Sequence, residues 1–397
     1  MKRFTKTLKA TTMAFAAAGL MATSAMATDG MFGNGTGARN KALAGAGVAN
    51  EKDATAMSLN PAGLVHSEDQ IDISATLFSP HREATWGATT TESDSQYFVI
   101  PNIAYSHRMD ANTVFGLSMY GNGGMNTDYP TNLAGNPGNM GIDLTQIFVS
   151  AGLAKSYGNI SVGIAPILAV QIFSADGLGF SEETSVAAGI AVRGGVEWSL
   201  TNNFRVAVAG ATPTYSQSFS DYKNTLFAIS DGELRIPGTI QAGFAFDLMP
   251  TLTVMADYKR IFYGEVDAIG GTPNPAGGGG FGWDNINVYK VGVEWDVNPD
   301  LTLRAGYSYN DSPLPTEAGA FFGNTVTPAT IKQHFTGGAA IAISDTMDLE
   351  LAGMYAPEES VSTPGGGLLP PTTVKMYQWE LTAGIKWKLG ETEAPLK

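Results

Sequence analysis

Apolar and polar residues alternate along most of the chain after residue 70, in fourteen separate runs. In the run 301–310, the odd positions carry Leu, Leu, Ala, Tyr and Tyr, and the even positions carry Thr, Arg, Gly, Ser and Asn. Such alternation is typical of β-strands, because successive side chains point to opposite faces. The pattern predicts strands at residues 70–78, 97–107, 113–121, 143–156, 160–173, 185–198, 204–216, 234–247, 252–263, 285–296, 301–310, 331–343, 347–356 and 376–388.

The connections between these runs alternate strictly between short and long. Tight turns such as 298–300 follow the even-numbered runs, and connections of about 10 to 21 residues follow the odd-numbered ones, as in outer-membrane barrels. A soluble β-sandwich also buries one face of each strand, but it does not require this alternation of connection lengths. We therefore predict an all-β fold, a 14-stranded antiparallel transmembrane β-barrel over residues 67–390, in the cell outer membrane.

The first 27 residues have the pattern of a secretory signal peptide, and this segment predicts export. A basic start is followed by the apolar stretch 10–20 and by the small-x-small sequence Ala25-Met-Ala27. No later stretch approaches the length of about 18 uncharged apolar residues that a transmembrane helix needs. A membrane location therefore requires a closed barrel, which satisfies every backbone donor and acceptor. We interpret residues 391–397 as a polar tail outside the barrel.

Composition narrows the functional classes. The chain of 397 residues has no cysteine, which excludes disulfide frameworks, thiolate metal sites and thiol catalysis. A net charge of −14 disfavours nucleic-acid binding. The four histidines are too scattered for a metal site, and Gly33-x-Gly-x-Gly37 has no preceding strand that would make it a dinucleotide loop. We expect no enzyme activity, no metal and no cofactor.

Residues 28–66 do not follow the strand pattern. They are rich in Gly, Ala and Asn and end in Asn60-Pro-Ala-Gly-Leu64. Such a segment could hang in the periplasm or fold inside the barrel lumen as a plug.

Several stretches of this sequence resemble the FadL/TodX family of outer-membrane hydrocarbon transporters. The segment 28–66 is similar to the N-terminal hatch of that family, and its Asn60-Pro-Ala is the most specific part of the likeness. The matching stretches are 33–39, 42–47, 53–54, 60–64, 234–237, 257–262, 301–309 and 312–315.

The resemblance implies a barrel plugged by the hatch 28–66 that passes long-chain fatty acids or similar hydrophobic molecules inward. It also implies that substrate leaves sideways through a gap at a kinked strand, after spontaneous conformational change and without energy coupling. Pro101, Pro166 and Pro213 each lie in a predicted strand and could mark such a kink, and the sequence does not choose among them. At the end of the hatch, Asn60, Pro61, Ala62 and Gly63 fix the backbone before the first strand and could hold the plug closed.

Three basic residues predict a binding site for a carboxylate. By strand parity, Arg235, Lys259 and Lys290 point inward from three adjacent predicted strands. A cation in a partly desolvated lumen binds a fatty-acid head group through charge-assisted hydrogen bonds. The alternative is that these cations only pair with lumenal carboxylates of the barrel wall: Asp257, Glu294 and Glu197.

One long connection carries large apolar residues at helical spacing, namely Phe219, Tyr222, Leu226, Phe227 and Ile229. An exposed apolar patch on an extracellular loop would capture hydrophobic substrate. Packing against neighbouring loops is the alternative.

Together these observations favour a passive outer-membrane importer of hydrophobic compounds, with fatty acids and aromatic or aliphatic hydrocarbons as the expected small-molecule partners. Capture at the extracellular loops, transfer to a lumenal site gated by the hatch, and lateral exit are the expected steps. A general porin and a surface adhesin are the alternatives. We further expect contact with outer-membrane lipid and lipopolysaccharide, and a monomeric state.

Overall fold

The computed structural model describes residues 28–133, 135–179, 181–274, 278–317, 321–365 and 370–390. The predicted signal segment 1–27 and polar tail 391–397 lie outside these residues.

Fourteen antiparallel strands form one closed barrel, which confirms the fold predicted from the alternation pattern. Each strand pairs with its neighbours along the chain, and the last strand pairs with the first from Lys388↔Gln70 to Thr372↔Trp86. In chain order the strands are β1 (Gln70–Trp86), β2 (Phe98–Arg108), β3 (Thr113–Tyr129), β4 (Met140–Tyr157), β5 (Ile160–Asp176), β6 (Ser185–Thr201), β7 (Phe204–Ala211), β8 (Thr239–Met249), β9 (Leu252–Ile261), β10 (Ile286–Asn298), β11 (Leu301–Asn310), β12 (Gln333–Ser344), β13 (Met347–Thr363) and β14 (Thr372–Lys388).

The barrel wall is apolar outside and polar inside. On β10, Val291 and Trp295 are 49% and 46% exposed, whereas Lys290 and Glu294, which directly precede them, are buried. An exposed apolar face on every second residue is typical of a barrel whose exterior contacts lipid. Within the described part of the chain, no helix is long and apolar enough to cross a membrane.

The two ends of the barrel differ. Turns as short as Gly158-Asn159 join strands at one end, which we call the turn end, and Gly158 has the positive φ of +68° that such a turn requires. Long connections at the opposite end, the loop end, carry two short strands, Thr89–Glu92 and Tyr215–Ser216. The helices are α1 (Gly37–Ala42), α2 (Asp267–Gly270) and α3 (Phe321–Val326), with 3₁₀ turns at Ala54–Ser58, Pro61–His66, Ala228–Ser230 and Tyr263–Glu265.

The segment 28–66, which we call the hatch, folds inside the barrel, so the plug is observed and the periplasmic alternative is wrong. Most hatch residues are buried, including the whole of α1. Asn60 caps the 3₁₀ turn that follows it: its Oδ1 accepts from the Ala62 amide at 3.1 Å, and its Nδ2 donates to the Val48 carbonyl at 2.7 Å. A Cβ at Gly195 of β6 would lie 2.0 Å from the Asn60 Oδ1, so the barrel wall needs a glycine there.

Candidate functional site

The ladder between β2 and β3 stops halfway along β3. Its last pair toward the loop end is Asn102↔Tyr120, beside Pro101, which has no N–H to donate. The β3–β4 register shifts between Gly121 and Gly123, and β3 then continues to Tyr129 with β4 as its ladder partner. We call residues 121–127 of β3 the open seam, because β2 is not in the ladder with them. Among the three candidate prolines, Pro101 is the one at this seam.

The hatch lies against the open seam from inside. Phe32 forms an isolated antiparallel bridge with Gly123. The Gly33 amide donates to the Asn122 carbonyl at 3.2 Å, and the Gly124 amide donates to the Met31 carbonyl at 3.0 Å. Hatch residues 31–33 therefore bind the edge of β3 in the manner of a neighbouring strand.

This contact depends on the absence of a side chain at Gly123, where a Cβ would lie 1.9 Å from the Met31 carbonyl oxygen. Because two backbones meet there, Gly123→Ala must push the hatch away from β3, at a cost of about 1–3 kcal/mol for overpacking. We expect raised single-channel ion conductance in planar bilayers. Gly337→Ala is the control, since its Cβ would meet its nearest atom at 3.6 Å. Equal conductance of the two variants would show that residues 31–33 do not close the seam.

Lys259 of β9 and Lys290 of β10 point into the lumen, as parity predicted, and there they meet the hatch. Both Nζ atoms lie 3.2 Å from Oδ2 of Asp29, which is fully buried. Burial by itself would raise the pKa of the Asp29 carboxyl. The two ammonium groups outweigh this effect and lower the pKa to about 2. Asp29 is therefore a carboxylate that occupies the lumenal cation pair.

The three wall carboxylates considered from sequence have other partners. Asp257 Oδ2 accepts from the hatch amides of Gly47 and Val48 at 2.8 and 2.9 Å. Glu197 contacts His66 at 2.6 Å. Glu294 binds cations, but they are Arg39 and Lys52 of the hatch and Arg304 of β11.

Arg235 does not join the lumenal cluster, and its predicted placement on a strand is wrong. β8 begins at Thr239, because Pro237 cannot donate to a ladder. Arg235 lies before the strand, about half exposed, with its Nε 2.7 Å from Glu233.

Arg193 of β6 lines the lumenal cavity instead. It is buried, its Nη1 donates to the Leu59 carbonyl at 3.3 Å, and among the described residues it forms no ion pair. The sequence carried the signal, since the outward residues Val192 and Val196 give Arg193 inward parity.

The cavity that these cations share reaches the open seam. With the hatch in place its volume is about 60 Å³, which is room for a few water molecules or a small polar head group. Lys259, Lys290 and Arg193 line it together with Phe32 and with Asn122, the bulged residue of β3. Of the described residues that line it, three are cations and none is a carboxylate; Asp29 contacts the two lysines, and Asp257 contacts Gln241 of the lining.

Tyr263 links the Asp29 contact to the seam contact. Its hydroxyl accepts from the Met31 amide at 2.9 Å and donates to the Asp29 carbonyl at 2.5 Å. The Lys259 Nζ also lies 5.3 Å from the centre of the Phe32 ring. One short piece of hatch, residues 29–33, therefore contacts both the lumenal cations and the open seam. Sequence reasoning missed Asp29 and Tyr263.

The apolar loop residues are packed inside the barrel mouth. Tyr222 and Phe227 lie 4.8 and 5.0 Å, ring to ring, from Phe173 of β5. The expected exposed patch is wrong for four of its residues, because they are buried, and the observed ring contacts are with the wall strand β5, whereas the alternative was packing against neighbouring loops. These four buried residues are Phe219, Tyr222, Leu226 and Phe227. Ile229 remains exposed.

Solved structures with the same fold include two toluene transporters and a FadL homologue. The P. putida toluene transporter TodX has a TM-score of 0.71 at 17% identity, covering 90% of this chain and 100% of that one. A Pseudomonas aeruginosa FadL homologue has a TM-score of 0.70 at 12% identity, covering 91% and 100%. The Ralstonia pickettii toluene transporter TbuX has a TM-score of 0.65 at 17% identity, covering 90% and 99%. The fold implied by the sequence resemblance is confirmed. No family model and no curated protein matches the chain.

Proposed function

We propose that this protein is a passive outer-membrane importer of hydrophobic compounds, and that long-chain carboxylates are its best substrates. The observation that carries the proposal is the double contact of hatch residues 29–33, which fill a buried cation pair and bind the open seam. The apolar barrel exterior supports a membrane location. The shared fold with a toluene transporter and a FadL homologue supports transport of apolar molecules.

The lumenal cavity suits the carboxylate head group of an amphiphile, and the tail takes the space that opens when residues 29–33 move. A substrate carboxylate can replace Asp29 between Lys259 and Lys290, or bind beside it at Arg193. Charge-assisted hydrogen bonds hold the head group, and each buried methylene of the tail contributes about 0.8 kcal/mol. A neutral hydrocarbon gains only the apolar contribution.

Displacement of Asp29 would weaken the seam contact. Tyr263 holds both the Asp29 carbonyl and the Met31 amide, so movement of Asp29 removes support from the bridge at Phe32. Release of residues 31–33 from β3 would connect the cavity with the lipid beside the barrel. The substrate then leaves sideways, driven by its own concentration gradient and by transfer into the membrane.

The remaining parts of the hatch and the loop have supporting roles in this proposal. Asn60, Pro61, Ala62 and Gly63 anchor the hatch where it joins β1, while residues 29–33 move. At the loop end, Ile229 offers the exposed apolar contact for capture, on a loop held rigid by its buried neighbours. A general porin would need an open lumen, which the hatch fills.

Asp29→Asn tests the lumenal carboxylate site. Removal of the internal competitor should tighten fatty-acid binding by roughly 1.5 to 3 kcal/mol, the value of a hydrogen bond to a charged group. An alkane of the same length should bind as before. The measurement is titration of both ligands against detergent-solubilised protein.

Two further variants complete this titration. Lys259→Met should weaken binding of the fatty acid and spare the alkane. Asp231→Asn is the control, since Asp231 pairs with Lys223 in an exposed loop. If Asp29→Asn changes the affinity of both ligands equally, or of neither, the carboxylate assignment is wrong, and the proposed passage of neutral compounds is unaffected.

A further inference from the structure

We propose that Arg82 forms a second anion-binding site, at the loop end of the open seam, which takes the carboxylate of a single-chain amphiphile. This inference rests on the proposed function, because it assigns the place where the head group binds beside the lateral exit.

Arg82 lies inside the barrel on β1 and reaches across the seam. Its Nη1 donates to the carbonyl of Asn126 on β3. β1 and β3 are separated by β2, and β2 begins only at Phe98, whose ring centre lies 5.7 Å from the Arg82 guanidinium carbon. The guanidinium therefore occupies the space between β1 and β3 where β2 begins.

This guanidinium is buried without a counter-ion. Arg82 is 4% exposed, and its Nε and Nη2 make no hydrogen bond with any described residue. Asp128 and Asp143 are acidic groups that interact with it electrostatically, but neither forms an ion pair or hydrogen bond with it within the described ranges. A buried charge of this kind is costly unless something pairs with it.

Three other guanidinium groups inside the barrel have carboxylate partners among the described residues. Arg39 and Arg304 share Glu294, and Arg205 pairs with Asp247 at 3.0 Å. Arg193 belongs to the lumenal cavity already described. Arg82 is thus a buried cation that neither the hatch nor the lumenal site uses.

The surroundings of Arg82 identify the class of ligand. A cavity of about 10 Å³ beside it, room for roughly one water molecule, is lined mostly by apolar side chains, so a ligand enters when the seam is open. The lining residues include Phe78, Pro80, Met125, Ala329 and Met376. Two free N–H groups on one planar guanidinium match the two oxygens of a carboxylate, and the apolar walls match the methylenes next to it.

The test is equilibrium binding of a radiolabelled long-chain fatty acid to the full chain. We expect two classes of site in the intact protein. Arg82→Met should weaken one class by roughly 10- to 100-fold, the value of a charged hydrogen bond, and leave the lumenal class unchanged. Lys259→Met should do the reverse. Arg260→Met is the matched control, because Arg260 bonds to Asn287 away from the lumen.

Stability and ligand type provide the second readout. If the role of Arg82 is to bind a ligand, the ligand-free Arg82→Met barrel should be at least as stable toward unfolding as the intact barrel. The reason is that the substitution removes an unpaired buried charge. A methyl ester of the fatty acid and a short-chain phosphatidic acid should both fail to compete at this class of site.

The possible outcomes are distinct. Two unchanged classes in Arg82→Met, or loss of stability with unchanged binding, would overturn the Arg82 site and leave the proposed function standing. Competition by phosphatidic acid would assign the site to membrane lipid and overturn the substrate assignment. No fatty-acid binding by the intact chain would overturn both proposals.

Discussion

Deletion of residues 30–58 should turn the closed barrel into a steady ion-conducting pore. The hatch fills the lumen, whereas barrel closure is made by β14 and β1, whose pairing involves no hatch residue. The wall should therefore fold without the hatch. Its polar interior would then fill with water, and conductance in planar bilayers should rise on the order of tenfold or more.

Folding of the deletion variant is checked by its heat-dependent shift in electrophoretic mobility, with the intact chain as reference. A folded deletion variant with unchanged conductance would mean that another part of the chain closes the lumen. A variant that does not fold would mean that the wall depends on its hatch contacts, contrary to the closure seen between β14 and β1.

Glu294→Gln should cause the largest loss of stability of any single substitution considered. The Glu294 carboxylate lies 2.9 Å from Arg39, 3.0 Å from Lys52 and 2.9 Å from Arg304, and it thereby ties the hatch to β10 and β11. Among the described residues, neutralising it leaves the buried Arg39 with only Glu51, 4.0 Å away, and Arg304 with only Glu350 as ion-pair partners. Breaking such buried pairs costs about 3–5 kcal/mol. Denaturant unfolding of the refolded barrel measures this loss.

Glu83→Gln is the matched control. Glu83 pairs with Lys375 at 2.8 Å near the rim of the barrel, where both side chains are partly exposed. Exposed pairs contribute about 0–1 kcal/mol. Similar losses for the two variants would contradict the role of Glu294 as the main electrostatic tie between hatch and wall.

The strands were predictable because each strand has one face toward lipid and the other toward the polar lumen. On β11 the alternation between lipid and lumen holds to both ends, and the predicted and observed bounds are the same, 301–310. β1 continues to Trp86, beyond its predicted end at 78. The prediction ended too early because the part of β1 near the loop end carries polar residues, such as Glu83 and Thr85, on its outer face, and the alternation is lost there. The early end predicted for β1 is also the reason that Arg82 was missed.

The site was predictable only where the strand period applied. Parity placed Lys259 and Lys290 in the lumen, and the same rule would have found Arg193. Asp29 could not be found in this way, because the hatch has no periodic pattern and contacts among distant residues set its position. The open seam could not be predicted from the sequence either, because it depends on where the β2–β3 ladder stops and on which backbone segment pairs with β3 beyond that point.

The most direct test of the account is uptake of a radiolabelled long-chain fatty acid by bacterial cells that lack their own outer-membrane fatty-acid carrier. Cells that express the intact chain should take up the fatty acid well above cells with an empty vector, and Asp29→Asn and Arg82→Met should alter that rate while the amount of folded barrel in the outer membrane stays the same. Uptake no higher than the empty vector, with the folded barrel present in the outer membrane, would contradict the proposal that this barrel carries hydrophobic carboxylates.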